Sequence, residues 1–268
     1  MSIAVNVKNV SLKINNKAIV DNLSVEIPKN SITLISGANG IGKSITLKLI
    51  AKLIHPSKGN IQVNGRICYA PDKFPDNLNI KVHTFLETIQ NLNKDNGLNW
   101  KYYSKLFNLT SFEKDKLNQL SKGILQKINI IQALLKNGDI LIFDEPFSGL
   151  DKLAINRFII LLKDLSKSKT IILTSHENDS FQSFITHEVN LQNGNFTNNH
   201  TKPLLKSITV LRTETTPNTF PTTVEQKVYN KNIINNNSIK LYIARSDTNN
   251  ILSDLIKHNF KILEVKDE

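Results

Sequence analysis

With 268 residues, the chain is long enough for one large domain or two of ordinary size, and an apolar content of 40% excludes wholesale disorder. A single cysteine excludes an internal disulfide and any cysteine-rich zinc or iron–sulfur centre. The net charge of +11 fits acidic partners (nucleic acid, an anionic membrane surface, nucleotide phosphates), but basic and acidic residues are interspersed, so charge by itself selects none of these.

In chain order, residues 3–10 and 19–27 alternate apolar and polar and predict strands, with a turn at Asn15-Asn16-Lys17. Ser31–Ser36 is a compact apolar strand that runs into a glycine-rich segment. From Lys43 the period becomes helical, with Leu47, Ile50, Ala51 and Ile54 on one face until His55-Pro56 stops it. A strand pair follows at 61–63 and 67–69, split by Asn64-Gly65, and residues 76–136 then read as mostly helical. Strands return at Ile140–Phe143 and Thr170–Thr174, with a helix over 152–166 between them. Strands alternating with helices predict a mainly parallel sheet covered on both faces and interrupted by a helical insertion. Residues 193–207 read as a linker, followed by strands near 208–212 and 239–244, a helix over 248–258 and a strand at 260–265. The N-terminus has no basic region followed by an apolar block, and no stretch approaches the ~18 apolar residues of a membrane span. The expectation is a protein soluble by itself and cytoplasmic.

Two segments carry chemistry. Gly37-Ala38-Asn39-Gly40-Ile41-Gly42-Lys43-Ser44 matches G-x-x-x-x-G-K-[ST], with a strand before it and a helix after it. Glycines let such a loop curl so that main-chain N–H groups and the helix N-terminus face phosphate oxygens. Lys43 would reach the β- and γ-phosphates, and the Ser44 hydroxyl would ligate Mg²⁺. The second segment, Asp139–Glu145, is a buried-strand pattern that ends in two carboxylates. It would deliver Asp144 and Glu145 to the same sheet edge, Asp144 toward the Mg²⁺ shell and Glu145 toward the attacking water.

With these in place the sequence resembles the nucleotide-binding subunits of ABC transporters over about residues 3–200. Four further segments carry the likeness. Leu120-Ser121-Lys122-Gly123-Ile124 stands where the family has its LSGGQ signature, and Ser148-Gly149-Leu150-Asp151 is similar to the D-loop. His176 follows a strand as the switch histidine does, and Asp72 occupies the Q-loop position. The resemblance implies an α/β fold: a P-loop NTPase core of the ABC ATPase type over residues 1–200, with an antiparallel β subdomain and a helical subdomain over about 76–136. Residues 201–268 would add a linker and a small α+β C-terminal module, like the extensions of some exporter-type subunits, for dimer contact or regulation.

It also implies ATP binding by Gly37, Ala38, Asn39, Gly40, Ile41, Gly42, Lys43, Ser44 and Ile45, with Ser121, Gly123 and Asp151 completing the site of a partner subunit. Glu145 and His176 would be the catalytic pair, and Ser44, Asp72 and Asp144 would hold Mg²⁺. Since one chain holds one set of motifs, a homodimer or a heterodimer with a homologous ATPase subunit is implied. Integral membrane transporter subunits would be the further partners, with the chain peripheral on the cytoplasmic face of the cell membrane. Nucleic acid is an unlikely partner. The alternative is a soluble ATPase of the same type acting on nucleic acid, the ribosome or protein assembly. Three positions depart from the family pattern: Ile14 stands for the adenine-stacking aromatic, Asp72 for glutamine, and Lys122 and Ile124 for glycine and glutamine. Five of the ten glycines (Gly37, Gly40, Gly42, Gly123, Gly149) fall in these motifs, and Gly123→Asp is expected to spare folding while blocking hydrolysis.

Overall fold

The computed structural model describes residues 2–15, 17–93, 99–175, 184–192, 195–198, 205–211, 219–225, 227–235, 237–244 and 247–267. The chain divides into two compact units, residues 1–198 and 199–268.

The first unit is built on two sheets. Strands β1 (Ile3–Ile14), β2 (Lys17–Pro28) and β4 (Lys58–Val63) form an antiparallel sheet in the order β2-β1-β4. The larger sheet has six strands. These are β3 (Ile32–Ser36), β5 (Ile67–Ala70), β6 (Ile140–Phe143), β7 (Thr170–Thr174), β8 (His187–Asn190) and β9 (Asn195–Asn198), in the order β5-β6-β7-β3-β8-β9. All its pairings are parallel except the β8–β9 pair. The expected strand pair across Asn64-Gly65 is therefore not a pair: β4 joins β1, while β5 joins β6. The turn passes the chain from one sheet to the other.

The continuous apolar runs of β6 and β7 follow from burial on both faces. In β6, Leu141 and Phe143 enter one core while Ile140 and Ile142 enter the other. In β7, Ile171 and Leu173 oppose Ile172 in the same way. One face carries helix α1 (Lys43–Ile50) and the antiparallel sheet. The other carries α2 (Val82–Asn91), α3 (Trp100–Leu106), α4 (Lys122–Leu135) and α5 (Lys152–Leu165). Helix α1 stops before Ile54 because Lys52 turns into the left-handed region, φ 57°, and the Leu53 N–H closes back on the Lys48 carbonyl at 2.9 Å.

In the second unit, strands β10 (Leu205–Leu211), β11 (Val228–Asn235), β12 (Ser238–Ala244) and β13 (Lys261–Asp267) make an antiparallel sheet in the order β11-β12-β10-β13. With α6 (Thr222–Glu225) and α7 (Thr248–Lys257) the element sequence is β-α-β-β-α-β. Ile208, Val210, Leu241 and Ile243 of the sheet pack with Val224, Ile251 and Leu255 of the helices. Four of the described elements, β8 and β9 of the first unit and α6 and β11 of the second, were not expected. Strand β11 is asparagine-rich and lacks clean alternation, and β9 falls inside the stretch expected to be linker.

The aromatic centre of the first unit is Phe158 of α5, fully buried, with ring centroids 5.3 Å from Phe143, 5.7 Å from Phe147 and 6.1 Å from Phe107. Phe158→Ala is expected to destabilise the chain by about 3–5 kcal/mol in denaturant titration. Ile160→Ala, two residues along the same helix at a position 68% exposed, should change stability by no more than ~0.5 kcal/mol.

Candidate functional site

The glycine-rich loop leaves β3 at Ser36 and enters α1 at Lys43. Gly42 caps the helix with φ 108°, and an added Cβ there would meet the Ile19 carbonyl oxygen at 2.9 Å. Both the left-handed backbone and the contact with β2 therefore demand glycine. The first-turn N–H groups of Gly42, Lys43, Ser44 and Ile45 have no partner one turn earlier in the helix, which makes this end a cradle for anions. The Ile45 side chain packs against the apolar core, so it offers the cradle its main-chain N–H. Lys43 is buried and folds over the loop, its Nζ donating to the carbonyls of Gly37 at 3.0 Å and Ala38 at 3.4 Å. Its ammonium thus already lies inside the curl.

Asp144, just past the end of β6, is 2% exposed. A buried carboxylate needs donors, and three hydroxyls supply them. Ser44 Oγ donates to Oδ1 at 3.0 Å, Thr174 Oγ1 donates to Oδ1 at 2.9 Å, and Tyr69 Oη donates to Oδ2 at 3.3 Å. Burial raises the Tyr69 hydroxyl pKa first, with the Asp144 charge and hydrogen bond and the Asp72 charge adding to it. Tyr69 is therefore a standing O–H donor. The half-buried Asp72 carboxylate thus lies within electrostatic reach of the Tyr69 hydroxyl. All these donors are oxygens, which suits Mg²⁺. Among the described residues no group of three or more His, Cys, Asp or Glu forms a cage, and Mg²⁺ is ordinarily held by one or two carboxylates plus substrate phosphates.

Glu145 follows with φ 50° and 8% exposure. A left-handed backbone is unfavourable for such a residue and persists only where its surroundings impose it. Here its N–H donates to Thr174 Oγ1 at 2.8 Å, and its carbonyl accepts from Gln126 Nε2 at 3.1 Å. Thr174 thus serves both carboxylate residues at once. His176 lies outside the described residues.

A second grouping joins the start of α4 to the turn before α5. Ser121 caps α4, its Oγ accepting from the Ile124 N–H at 3.5 Å. Asp151 caps α5 through the Ala154 N–H at 2.8 Å and pairs with Lys127 of α4 at 2.7 Å. The Lys127 hydrogen bond, followed by the Ala154 N–H, holds the Asp151 carboxyl below its usual range. Gly123 sits against this turn: an added Cβ would lie 2.4 Å from the Gly149 carbonyl oxygen. This corrects the expectation for Gly123→Asp. The glycine is required for backbone packing within its own chain, so that substitution disturbs the fold and does not isolate a phosphate contact.

The motifs signalled Ser44 and Asp144, and the fold joins them directly. The motifs missed Tyr69, Thr174 and the α4 amides that meet the site from below. The available signals were a hydroxyl ending the apolar run of β7 and polar residues at every third position of an apolar helix. Ile14, in the place of the stacking aromatic, is 44% exposed.

Residues 20–148 match the family described as ABC transporter. An ABC transporter ATP-binding protein of Methanocaldococcus jannaschii is 31% identical over 178 residues, covering 65% of this chain and 68% of that one. The zinc import ATP-binding protein ZnuC of Buchnera aphidicola is 32% identical over 183 residues, covering 66% of this chain and 76% of that one. Among solved structures, the dimeric post-hydrolysis state of an ATP-binding cassette bound to ADP and Pi superposes with a TM-score of 0.62 at 23% identity, covering 72% of this chain and 98% of that one. The match across the phosphate loop and the paired carboxylates, together with the extent shared with these relatives and the common fold, shows that this chain belongs to the family of ABC transporter ATP-binding proteins, the ABC ATPases.

Proposed function

We propose that the chain hydrolyses ATP at the Ser44–Asp144 centre, as one half of a cassette dimer that drives transport through separate membrane-spanning subunits. The observation that carries this reading is the three-hydroxyl clamp on Asp144, because it fixes a carboxylate beside the phosphate loop with Glu145 next to it. The first-turn N–H groups of α1 bind the phosphates, with the loop main chain of Gly37, Ala38, Asn39, Gly40 and Ile41 wrapped around them. Lys43 turns from the Gly37 and Ala38 carbonyls to the β- and γ-phosphate oxygens, exchanging neutral acceptors for charged ones. Ser44, Asp144 and Asp72 would hold Mg²⁺, which when bound neutralises charge on the phosphates. Glu145 orients the attacking water and accepts its proton, and His176 contacts the γ-phosphate. Ser121 and Gly123, with Asp151 behind them, present the N-terminus of α4 to ATP bound by the partner subunit.

The dimeric state of the cassette compared above and the naming of ZnuC as an import ATP-binding protein support a paired, transporter-associated role. No helix among the described residues is long and apolar enough to cross a membrane; in this reading the chain is a peripheral subunit on the cytoplasmic face, held there by separate membrane chains. Residues 199–268 serve this assembly as an accessory module, for dimer contact or regulation.

Glu145→Gln should lower steady-state ATP turnover by roughly 10²–10⁴-fold while ATP binding, measured by equilibrium titration, persists. Near-wild-type turnover would remove Glu145 from the mechanism. Affinity purification from membranes should recover a stable complex with a polytopic protein. Salt-sensitive RNA binding without such a partner would instead support the soluble nucleic-acid role.

A further inference from the structure

Gln126, Asn129 and Gln132 recur every third residue along α4, so they follow one another down one side of the helix. Their exposures are 5%, 0% and 5%, in a helix whose remaining buried positions are apolar. Each turns its amide NH₂ to a main-chain carbonyl: Gln126 to Glu145 at 3.1 Å, Asn129 to Pro71 at 2.6 Å and Gln132 to Tyr69 at 3.1 Å. Carbonyls only accept, so the orientation of all three amides is dictated by these partners. The second hydrogens link the amides to one another. Asn129 Nδ2 donates to Gln126 Oε1 and Gln132 Nε2 donates to Asn129 Oδ1, both at 3.3 Å. The result is a closed ladder in which Asn129 is the middle rung.

The carbonyls at its far side belong to Glu145 itself, to Pro71 immediately before Asp72, and to Tyr69, whose hydroxyl binds Asp144. The ladder therefore grips, through three carbonyls, the main chain of both segments that carry the acidic groups of the site, Tyr69–Asp72 and Asp144–Glu145. It does so from the helix that begins at Ser121. We propose that Asn129 is a positioning residue for hydrolysis, holding the Pro71–Asp72 segment directly and the Glu145 carbonyl through Gln126 at one fixed spacing, without touching ATP. This rests on the assignment of Glu145 to the attacking water. Because the interactions are made in the free enzyme and govern placement of reacting groups, their loss falls on kcat and not on nucleotide affinity.

Asn129→Asp keeps the shape of the side chain and replaces an NH₂ donor with an acceptor. The ionised carboxylate would then face two further acceptors, the Pro71 carbonyl and Gln126 Oε1. Protonation restores one O–H donor, and full burial, with Asp72 adjoining the Pro71 carbonyl that the side chain meets, favours the protonated form. With the purified chain, ATP and magnesium, this variant should lose about 10- to 100-fold in kcat at pH 8, with KM for ATP changed by no more than about twofold. The deficit relative to wild type should narrow as pH falls toward 6. A deficit independent of pH, one expressed in KM, or wild-type kcat at pH 8 would overturn the proposal. Should Asn129→Asp fail to fold by circular dichroism, Gln126→Met, which removes both the donor to the Glu145 carbonyl and the acceptor for Asn129 Nδ2, should show the same loss confined to kcat, and wild-type kcat there would be equally fatal. Glu145→Gln assayed alongside separates the two levels. If it retains turnover, the hydrolytic assignment falls and takes this proposal with it. If it is inactive while the Asn129→Asp deficit ignores pH, the ladder alone is wrong.

Discussion

A carboxylate that is 2% exposed cannot keep its charge without compensation, and the first unit is arranged around supplying it to Asp144. The donors come from three different elements: Ser44 from α1, Thr174 from β7 and Tyr69 from β5. Because β5 and β7 flank β6 on either side, the clamp reaches across the centre of the parallel sheet. Ser44 adds the helix that follows the phosphate loop. The charge that the site needs is therefore also a tie between the strands that build it. Removing any one donor would leave the others to satisfy a buried anion, so the site and the sheet edge stand or fall together.

Glu145 depends on the same clamp at one remove. Thr174 Oγ1 accepts from its N–H while donating to Asp144, so one hydroxyl orients two neighbouring peptide and carboxylate groups. The left-handed backbone of Glu145, φ 50°, is a local cost that this threonine and Gln126 offset. A similar economy holds where α4 meets the turn before α5. There the approach of Gly123 to the Gly149 carbonyl and the Lys127–Asp151 pair bind two helix N-termini together. Helix α4 is thus fixed at its start to the α5 cap and along its length to the edges of β5 and β6.

Much of this could be read in advance, and the exceptions have physical reasons. The glycine-rich loop, the buried strands on either side of it and the two carboxylates after Phe143 are local patterns. A tight anion-binding turn and a strand buried on both faces each demand particular residues at consecutive positions. What could not be read locally was strand partnership. Nothing between Val63 and Ile67 says that β4 turns away from β5, because partnership is decided by where the antiparallel sheet lies. Strands β9 and β11 were hidden for another reason: as polar, asparagine-rich edges they carry little of the alternation that marks a half-buried strand. Tyr69, Thr174, Gln126, Asn129 and Gln132 were invisible as site residues because their partners lie between 19 and 75 positions away in the chain.

The scarcity of glycine remains the simplest sequence clue, and the structure divides its meaning. At Gly42 the left-handed backbone and the Ile19 carbonyl together exclude a side chain, as a phosphate loop predicts. At Gly123 the excluding atom is a carbonyl of the neighbouring turn, a packing constraint that no motif announces. The sequence by itself determined the family, the phosphate loop, the paired carboxylates and the alternation of strand and helix, because each rests on residues adjacent in the chain. Only the tertiary structure decided what neutralises Asp144, what holds Glu145 in its strained backbone and what α4 grips, because buried charges and amides are satisfied by whichever groups folding brings to them.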